Sequence, residues 1–179
     1  MATTLEHDLF ETIAGAAAAE SPLWQAALRP EAERDAVAVF SPLVDERFAL
    51  GLETIYEGYL VHYGRPRLFA PEDDDTGLLL GDYLYAHGLV RIADTGDVVA
   101  VADLAELISL CAQARAEGGA GDGAAWVATA ARLGRGGLED ARSALRDDGD
   151  AGPLGRVARD AVGDDAVDRA LAAHAVRMG

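Results

Sequence analysis

The sequence contains no lysine, and its 15 basic residues, all arginine, are outnumbered by 31 aspartates and glutamates. The resulting formal net charge is −16 at pH 7. Nucleic-acid backbones and anionic membrane surfaces both require a positive field on the protein, because binding depends on releasing or attracting counterions. The shortage of positive charge therefore argues against a nucleic-acid partner and against a role on an anionic membrane surface.

Cysteine is almost absent as well, since Cys111 is the single one in the chain. One thiol cannot form an internal disulfide or supply a zinc pair, and no two of the four histidines stand at metal-ligand spacing. The first ten residues lack the basic start of a secretory signal, and no apolar run approaches the roughly 20 residues of a membrane span. We therefore expect no membrane span and a cytoplasmic location.

Aromatic residues make up only 6% of the chain, although half of its residues are apolar. A core built mainly from alanine, leucine and valine is typical of closely packed helices, and no segment alternates with the period of a strand. We predict an all-α helical bundle with a core domain over residues 1–134. Short C-terminal helices over residues 135–179 are expected to pack more loosely or to fray.

Three of the predicted helices lie in the middle of the chain. One is short and covers residues 30–40, and the next is long, opens at Ser41 and places Glu53 and Glu57 mostly off its buried stripe. The third covers residues 76–93, after a run of aspartates that can cap it. Its buried stripe is predicted to contain Leu78, Leu79, Tyr83, Ala86, Leu89, Val90 and Ala93.

Gly81 and Asp82 interrupt this third helix after three leucines. A glycine inside a helix costs roughly 1 kcal/mol relative to alanine, a cost that is recovered where a second helix must approach closely. Asp82 has two interpretations: it forms an ion pair or cap within the fold, or it belongs to a ligand site.

Four segments in the same order resemble the trans-isoprenyl diphosphate synthases. "LLLGDYLYAHGLVRIADTGD" is similar to the glycine-aspartate helix of that family, and "LETIYEGYLVHYG" before it resembles the helix that carries the first aspartate-rich motif. "LAELISLCAQARAEGG" resembles the helix that comes next in the family, and "GDGAAWVATAARLG" the one that begins with lysine and threonine in active members. The resemblance covers about residues 45–135 and implies a shortened isoprenoid-synthase fold and a role in isoprenoid biosynthesis.

The departures from the family's pattern concern its chemistry. Active members hold magnesium ions against a diphosphate with two facing clusters of aspartates. The first cluster should come after His62, but Tyr63 and Gly64 stand there, and the lysine expected near Asp122 is absent too. The resemblance therefore implies a chain without catalytic residues of its own and without a cofactor when it acts alone.

Two groups of aspartates remain as weak candidates for a metal site. Asp73, Asp74 and Asp75 form a contiguous run before a helix, and the spacing of "DDAVD" near the end of the chain matches an aspartate-rich motif. Both groups are better explained as helix caps that interact with the helix dipole. If either group binds Mg²⁺, the chain is an abbreviated prenyl diphosphate enzyme. The second group comprises Asp164, Asp165 and Asp168.

The remaining candidates are contacts for a ligand or a partner. His62, Arg65, Arg67 and Asp82 are weak candidates for binding a diphosphate or another ligand. All five tyrosines fall on two predicted helices, where a large ring with a polar tip suits a helix–helix interface as well as a core. The interface candidates are Tyr56, Tyr59, Tyr63, Tyr83 and Tyr85.

The hypothesis that the sequence favours is a truncated, degenerate relative of the isoprenyl diphosphate synthases. It would have no activity alone and would serve as the partner subunit of a catalytic prenyltransferase, or form a homo-oligomer. The abbreviated Mg²⁺-dependent enzyme is one alternative. An unrelated helical adaptor, whose alanine- and leucine-rich helices only resemble those of the family, is the other.

Overall fold

The computed structural model describes residues 2–118 and 120–179, with side chains from residue 8 onward. Within these residues the chain forms nine α-helices and no strand, which confirms the predicted all-α class. An isolated antiparallel bridge joins Leu28 to Phe69. The helices are α1 Ala2–Glu20, α2 Pro22–Ala27, α3 Glu46–Tyr63, α4 Asp74–Ala93, α5 Val98–Ala116, α6 Asp122–Arg132, α7 Glu139–Asp148, α8 Gly152–Val162 and α9 Asp164–Met178.

Side-chain caps account for several of the helix starts. Ser21 accepts a hydrogen bond from the backbone N–H of Leu23 at the start of α2, where Pro22 takes the first helical position. Asp73 caps α4 and Asp97 caps α5, each by accepting from a backbone N–H three residues later. These caps satisfy donors that a helix start would otherwise leave without a partner.

The predicted helix over residues 30–40 does not form. Only a 3₁₀ turn at Glu31–Glu33 is present, and the chain then runs irregularly to a second 3₁₀ turn at Ser41–Leu43. The backbone N–H groups of Val39, Phe40 and Ser41 donate to the carboxylate of Glu53 instead of to helical carbonyls. Asp45, rather than Ser41, caps the long helix α3.

Helix α3 lies in the centre of the molecule, because every residue from Gly51 to Leu60 is buried. Glu53 and Glu57 are among these buried residues, contrary to the prediction that they lie off the buried face. A helix that is surrounded on all sides needs partners for its polar side chains, since a buried unpaired charge is very costly.

Helices α3 and α4 pack against each other at glycines. A Cβ atom on Gly58 would lie 2.9 Å from the carbonyl oxygen of Gly81, and one on Gly88 would lie 2.9 Å from the carbonyl oxygen of Gly51. A Cβ on Gly81 would collide with the ring of His62. Gly81 therefore allows α3 to approach α4 closely, as predicted from its position inside the helix.

The face of α4 that packs inward is the opposite of the predicted one. Gly77, Leu80, Gly81, Leu84, Gly88 and Ile92 are buried. Three members of the predicted stripe, Leu78, Leu79 and Val90, are more than half exposed. The inward face combines three glycines with Leu80, Leu84 and Ile92, and the apolar side chains of the predicted stripe lie toward the surface.

The C-terminal helices contribute to the same apolar cluster as α3, α5 and α6. Leu145, Leu154, Ala158 and Val167 are buried in this cluster together with Trp126. A second, smaller cluster joins α1 and α2 to α3 and α4 around Phe10 and Phe69. In the part of the chain that is described, none of the helices is both long and apolar enough to cross a membrane.

Candidate functional site

The C-terminal end of α3, where the family resemblance places the first aspartate motif, is covered by the end of α9. The backbone N–H of Arg65 donates to the carbonyl of Arg177 over 2.9 Å, and the Arg65 side chain donates to the carbonyl of Val176. A Cβ on Gly64 would lie 3.0 Å from the carbonyl oxygen of Arg177, so the backbones of the two segments approach closely at this glycine. The end of α3 is thus covered by the last turn of α9.

Arg67, a candidate for binding a diphosphate, is fully buried and forms two ion pairs with α3. Its Nη1 donates to Glu53 Oε2 over 2.6 Å and its Nε donates to Glu57 Oε2 over 2.9 Å, with all three side chains completely shielded from solvent. The rings of Phe10 and Tyr56 stack on the guanidinium, with their centroids 4.7 and 5.0 Å from Cζ. Arg67 is therefore engaged inside the fold and has no exposed donor for a ligand.

The two glutamates also hold backbone segments. Glu53 accepts from three N–H groups of residues 39–41, and Glu57 accepts from the N–H groups of Arg67 and Leu68. Burial alone would raise the pKa of Glu53, but Arg67 and the backbone donors outweigh it and lower that pKa. Burial would lower the pKa of Arg67, and the two carboxylates reverse this and raise it. Glu53 and Arg67 are therefore both charged in the folded protein.

A second polar network joins α3, α5, α6 and α9. Tyr59 and Arg115 both donate to Asp122 Oδ2, and Arg115 Nε donates to Tyr59 Oη over 3.1 Å. His174 contributes Nε2, 3.3 Å from Asp122 Oδ2, and its Nδ1 lies 2.9 Å from Tyr56 Oη. Because an ionised carboxylate only accepts, the proton of a neutral His174 lies on Nε2, and Nδ1 accepts from Tyr56.

This network shifts the pKa values of its members. Burial opposes ionisation of Asp122, but the hydrogen bonds from His174, Tyr59 and Arg115 lower its pKa well below the usual value. Burial, followed by the hydrogen bond to Asp122, raises the pKa of Tyr59 far above the usual range. Asp122 is thus an anion on α6 that accepts hydrogen bonds from side chains of α3, α5 and α9.

Aromatic side chains fill the space around this network. Phe40 stacks on Trp126 with ring centroids 5.3 Å apart, and Tyr56 and Tyr59 meet the edges of Trp126 at 5.0 and 5.3 Å. These four side chains are each at most 1% exposed. The space between α3 and α6 around Trp126 is therefore filled by packed side chains.

Of the five tyrosines considered for an interface, Tyr56 and Tyr59 are completely buried within the chain. Neither can contact a partner in this fold. Tyr83 and Tyr85 are partly buried, and Tyr63 is 37% exposed. These three remain the surface candidates among the tyrosines.

His62 and Asp82 are brought together between α3 and α4. His62 Nε2 lies 3.3 Å from Asp82 Oδ1, and the histidine side chain is 10% exposed while the aspartate is largely exposed. Burial lowers the pKa of His62, and Asp82 only partly opposes this. His62 also lines an open groove of about 330 Å³ together with Asp73 and Asp74.

The candidate metal ligands make other contacts or remain on the surface. Asp73 accepts from the N–H and the hydroxyl of Thr76 as the cap of α4. Asp164 and Asp168 both pair with Arg159, at 3.0 and 2.7 Å. Within the described residues, no group of three or more histidine, cysteine, aspartate or glutamate side chains is arranged to hold a metal ion. The residues present do not fit the two facing aspartate clusters of a magnesium–diphosphate site. Asp74, Asp75 and Asp165 are exposed.

The charged groups that organise the interior were not predicted from the sequence. A signal was present for Glu53 and Glu57, because an i, i+4 pair of carboxylates inside an otherwise apolar helix requires a cation nearby. No local pattern marks Asp122, Arg115 and His174, which come from three different helices.

Comparisons with protein-family models, with curated proteins and with solved structures produced no match to this chain.

Proposed function

We propose that this chain is a non-catalytic protein similar to the isoprenyl diphosphate synthases, and that it acts as the partner subunit of a catalytic prenyltransferase. The family relationship rests on the four sequence segments over residues 45–135. The closed end of α3 is the observation that most favours a non-catalytic role. There the last turn of α9 packs on Gly64 and Arg65, in the segment that the resemblance aligns with the first magnesium-binding carboxylates.

The ion pairs and the packed interior support the same proposal. Arg67 is paired with Glu53 and Glu57, and Asp122 stands where the resemblance implies a diphosphate-binding lysine. An allylic diphosphate needs cations at one end and an apolar channel at the other. The space between α3 and α6 holds a buried anion and tightly packed rings instead. A subunit of this kind would alter the rate or product length of a partner, and it would act in the cytoplasm.

The test is a prenyl-transfer assay with magnesium, isopentenyl diphosphate and allylic diphosphates of several lengths. It is run with the purified chain alone, with the catalytic prenyl diphosphate synthase of the same organism alone, and with the two mixed. We expect no product from the chain alone, and a changed rate or product length in the mixture. Product lengths are read by chromatography.

Two outcomes would overturn the proposal. Turnover by the chain alone would establish the abbreviated enzyme. In that case, the two groups of aspartates are replaced by asparagine in separate variants, and the variant that loses turnover identifies the group that binds Mg²⁺. The groups are Asp73, Asp74 and Asp75, and Asp164, Asp165 and Asp168. If the mixture shows the same rate and product length as the synthase alone, at concentrations that would saturate binding, the helical adaptor is the remaining hypothesis.

A further inference from the structure

Helix α5 exposes a stripe without charge in a chain where 26% of residues are charged. The stripe repeats at intervals of four and three residues along the whole helix, and its members are exposed except for Ala112, which is half-buried. Val98, at its start, is 79% exposed. A helix that faces water normally carries charged residues on its outer side. The stripe consists of Val98, Ala102, Ala105, Ser109, Ala112 and Ala116.

The three charged residues of α5 are all paired within the chain. Asp103 is buried and accepts from Arg142, Glu106 pairs with Arg146 of α7, and Arg115 pairs with Asp122. None of them provides a solvated charge on the stripe. The outer face of α5 therefore consists of small and apolar side chains, as is usual where a helix packs on another element. No described residue of this chain packs on it.

The stripe is continuous with a groove of about 510 Å³ between α5 and α7. Val98, Val99 and Ala102 form its apolar wall, and Glu139 and Ser143 of α7 line the other side. Arg142, which also lines the groove, is 5% exposed, and its Nε has no hydrogen-bond partner in the described structure. The groove thus combines apolar surface with a buried donor that retains capacity for an acceptor.

The charges around the groove indicate the kind of occupant. Glu139 and Asp140 are exposed on α7, Glu117 is exposed at the end of α5, and the cations nearby, Arg142 and Arg146, are already paired with carboxylates. A second copy of this chain would bring the same carboxylates and a further net charge of −16. Electrostatic complementarity therefore favours a partner that supplies arginine or lysine.

We propose that the outer face of α5 and the adjoining groove form the docking surface for a helix of the catalytic partner. This inference rests on the proposed function and specifies where the partner binds. The partner's helix presents a stripe of small or apolar residues to α5, because alanine and serine allow two helix axes to approach closely. Its basic side chains lie against Glu139 at the edge of the groove.

The test measures binding of the purified chain to the catalytic synthase of the same organism by isothermal titration calorimetry. Ala105→Arg and Ser109→Arg each place a large cation in the middle of the stripe, and we expect either to weaken binding by about tenfold or more. Ala172→Arg, at an exposed alanine of α9, is the matched control with the same change in charge and should bind like the unmodified chain. Circular dichroism and thermal melts verify that each variant is folded.

The outcomes separate this inference from the proposed function. If the unmodified chain binds the synthase and the two stripe variants bind equally well, the docking surface is elsewhere and the partner role stands. If the unmodified chain neither binds nor affects prenyl transfer, both proposals fall. Sedimentation of the chain alone tests the other occupant: a dimer that Ala105→Arg dissociates would assign the surface to a second copy and overturn the inference.

Discussion

The imidazole of His62 on α3 packs directly against the backbone of Gly81 on α4. A Cβ atom at position 81 would collide with this ring. The same histidine reaches the neighbouring Asp82 with its Nε2. Gly81 and Asp82, the two residues that interrupt the leucine run, therefore both serve the contact with His62.

Replacing Gly81 by alanine is expected to destabilise the fold, because the new methyl group would collide with the His62 ring. Inserting a methyl group into a packed contact of this kind costs about 1–3 kcal/mol in the free energy of unfolding. The measurement is urea denaturation followed by circular dichroism.

Gly155→Ala is the matched control for this prediction. Gly155 lies within α8 and an added Cβ would meet nothing within 4 Å, so the variant should gain about 0.5–1 kcal/mol from helix propensity. Equal effects of the two substitutions would contradict the close contact at Gly81. Adding His62→Ala to Gly81→Ala should recover part of the loss.

Arg67→Leu should be among the most destabilising single substitutions in the protein. It leaves Glu53 and Glu57 buried without their cation, and breaking a buried ion pair on one side costs about 3–5 kcal/mol. The free energy of unfolding is measured by urea titration at pH 7. Arg156→Leu, at an exposed position of α8, should change it by no more than about 0.5 kcal/mol. A small loss for Arg67→Leu would mean that the three charges are not coupled as described.

Asp122→Asn is expected to destabilise the protein in a pH-dependent way. The folded-state pKa of Asp122 lies below its usual value of 3.8, so the unfolded chain binds more protons at this group. Its stabilising contribution is therefore fully present above the unfolded pKa and is lost as the pH falls through and below that value. The difference between the urea midpoints of the two proteins should be smaller at pH 3 than at pH 7.

Asp140→Asn provides the comparison for the pH series, because Asp140 is exposed on α7. The gap between this variant and the unmodified protein should be small at pH 7, because substitutions at exposed positions rarely change stability much. A gap for Asp122→Asn that stays constant from pH 7 to pH 3 would refute the assignment of a strongly lowered pKa.

The thiol of Cys111 should be unreactive in the native protein. Its side chain is 1% exposed, and burial raises its pKa far above the usual range, so almost no thiolate forms at pH 8. Reaction with iodoacetamide, followed by mass spectrometry, should be much slower in buffer than in 6 M guanidinium chloride. Labelling at equal rates in both solutions would show that α5 does not pack as described.

The features that were predicted correctly from the sequence depend on residues that are close together in the chain. The all-α class follows from the apolar composition without alternation, and the cap of α4 follows from the aspartate run, of which Asp73 is the member that bonds to Thr76. Two errors show the limit of such patterns. The helix predicted over residues 30–40 is lost because Glu53 captures the N–H groups of residues 39–41, and α4 faces the opposite way from its leucine stripe.

Composition and helix periodicity were thus sufficient to predict an acidic, all-helical chain and a close helix approach at Gly81. Which face of each helix is buried, and which charges are paired, was decided by tertiary packing. Arg67 reaches two carboxylates on α3, and Asp122 gathers Tyr59, Arg115 and His174 from three helices. The free energy of a buried charge depends on partners that are distant in sequence, so no window of neighbouring residues contains the information that determines it.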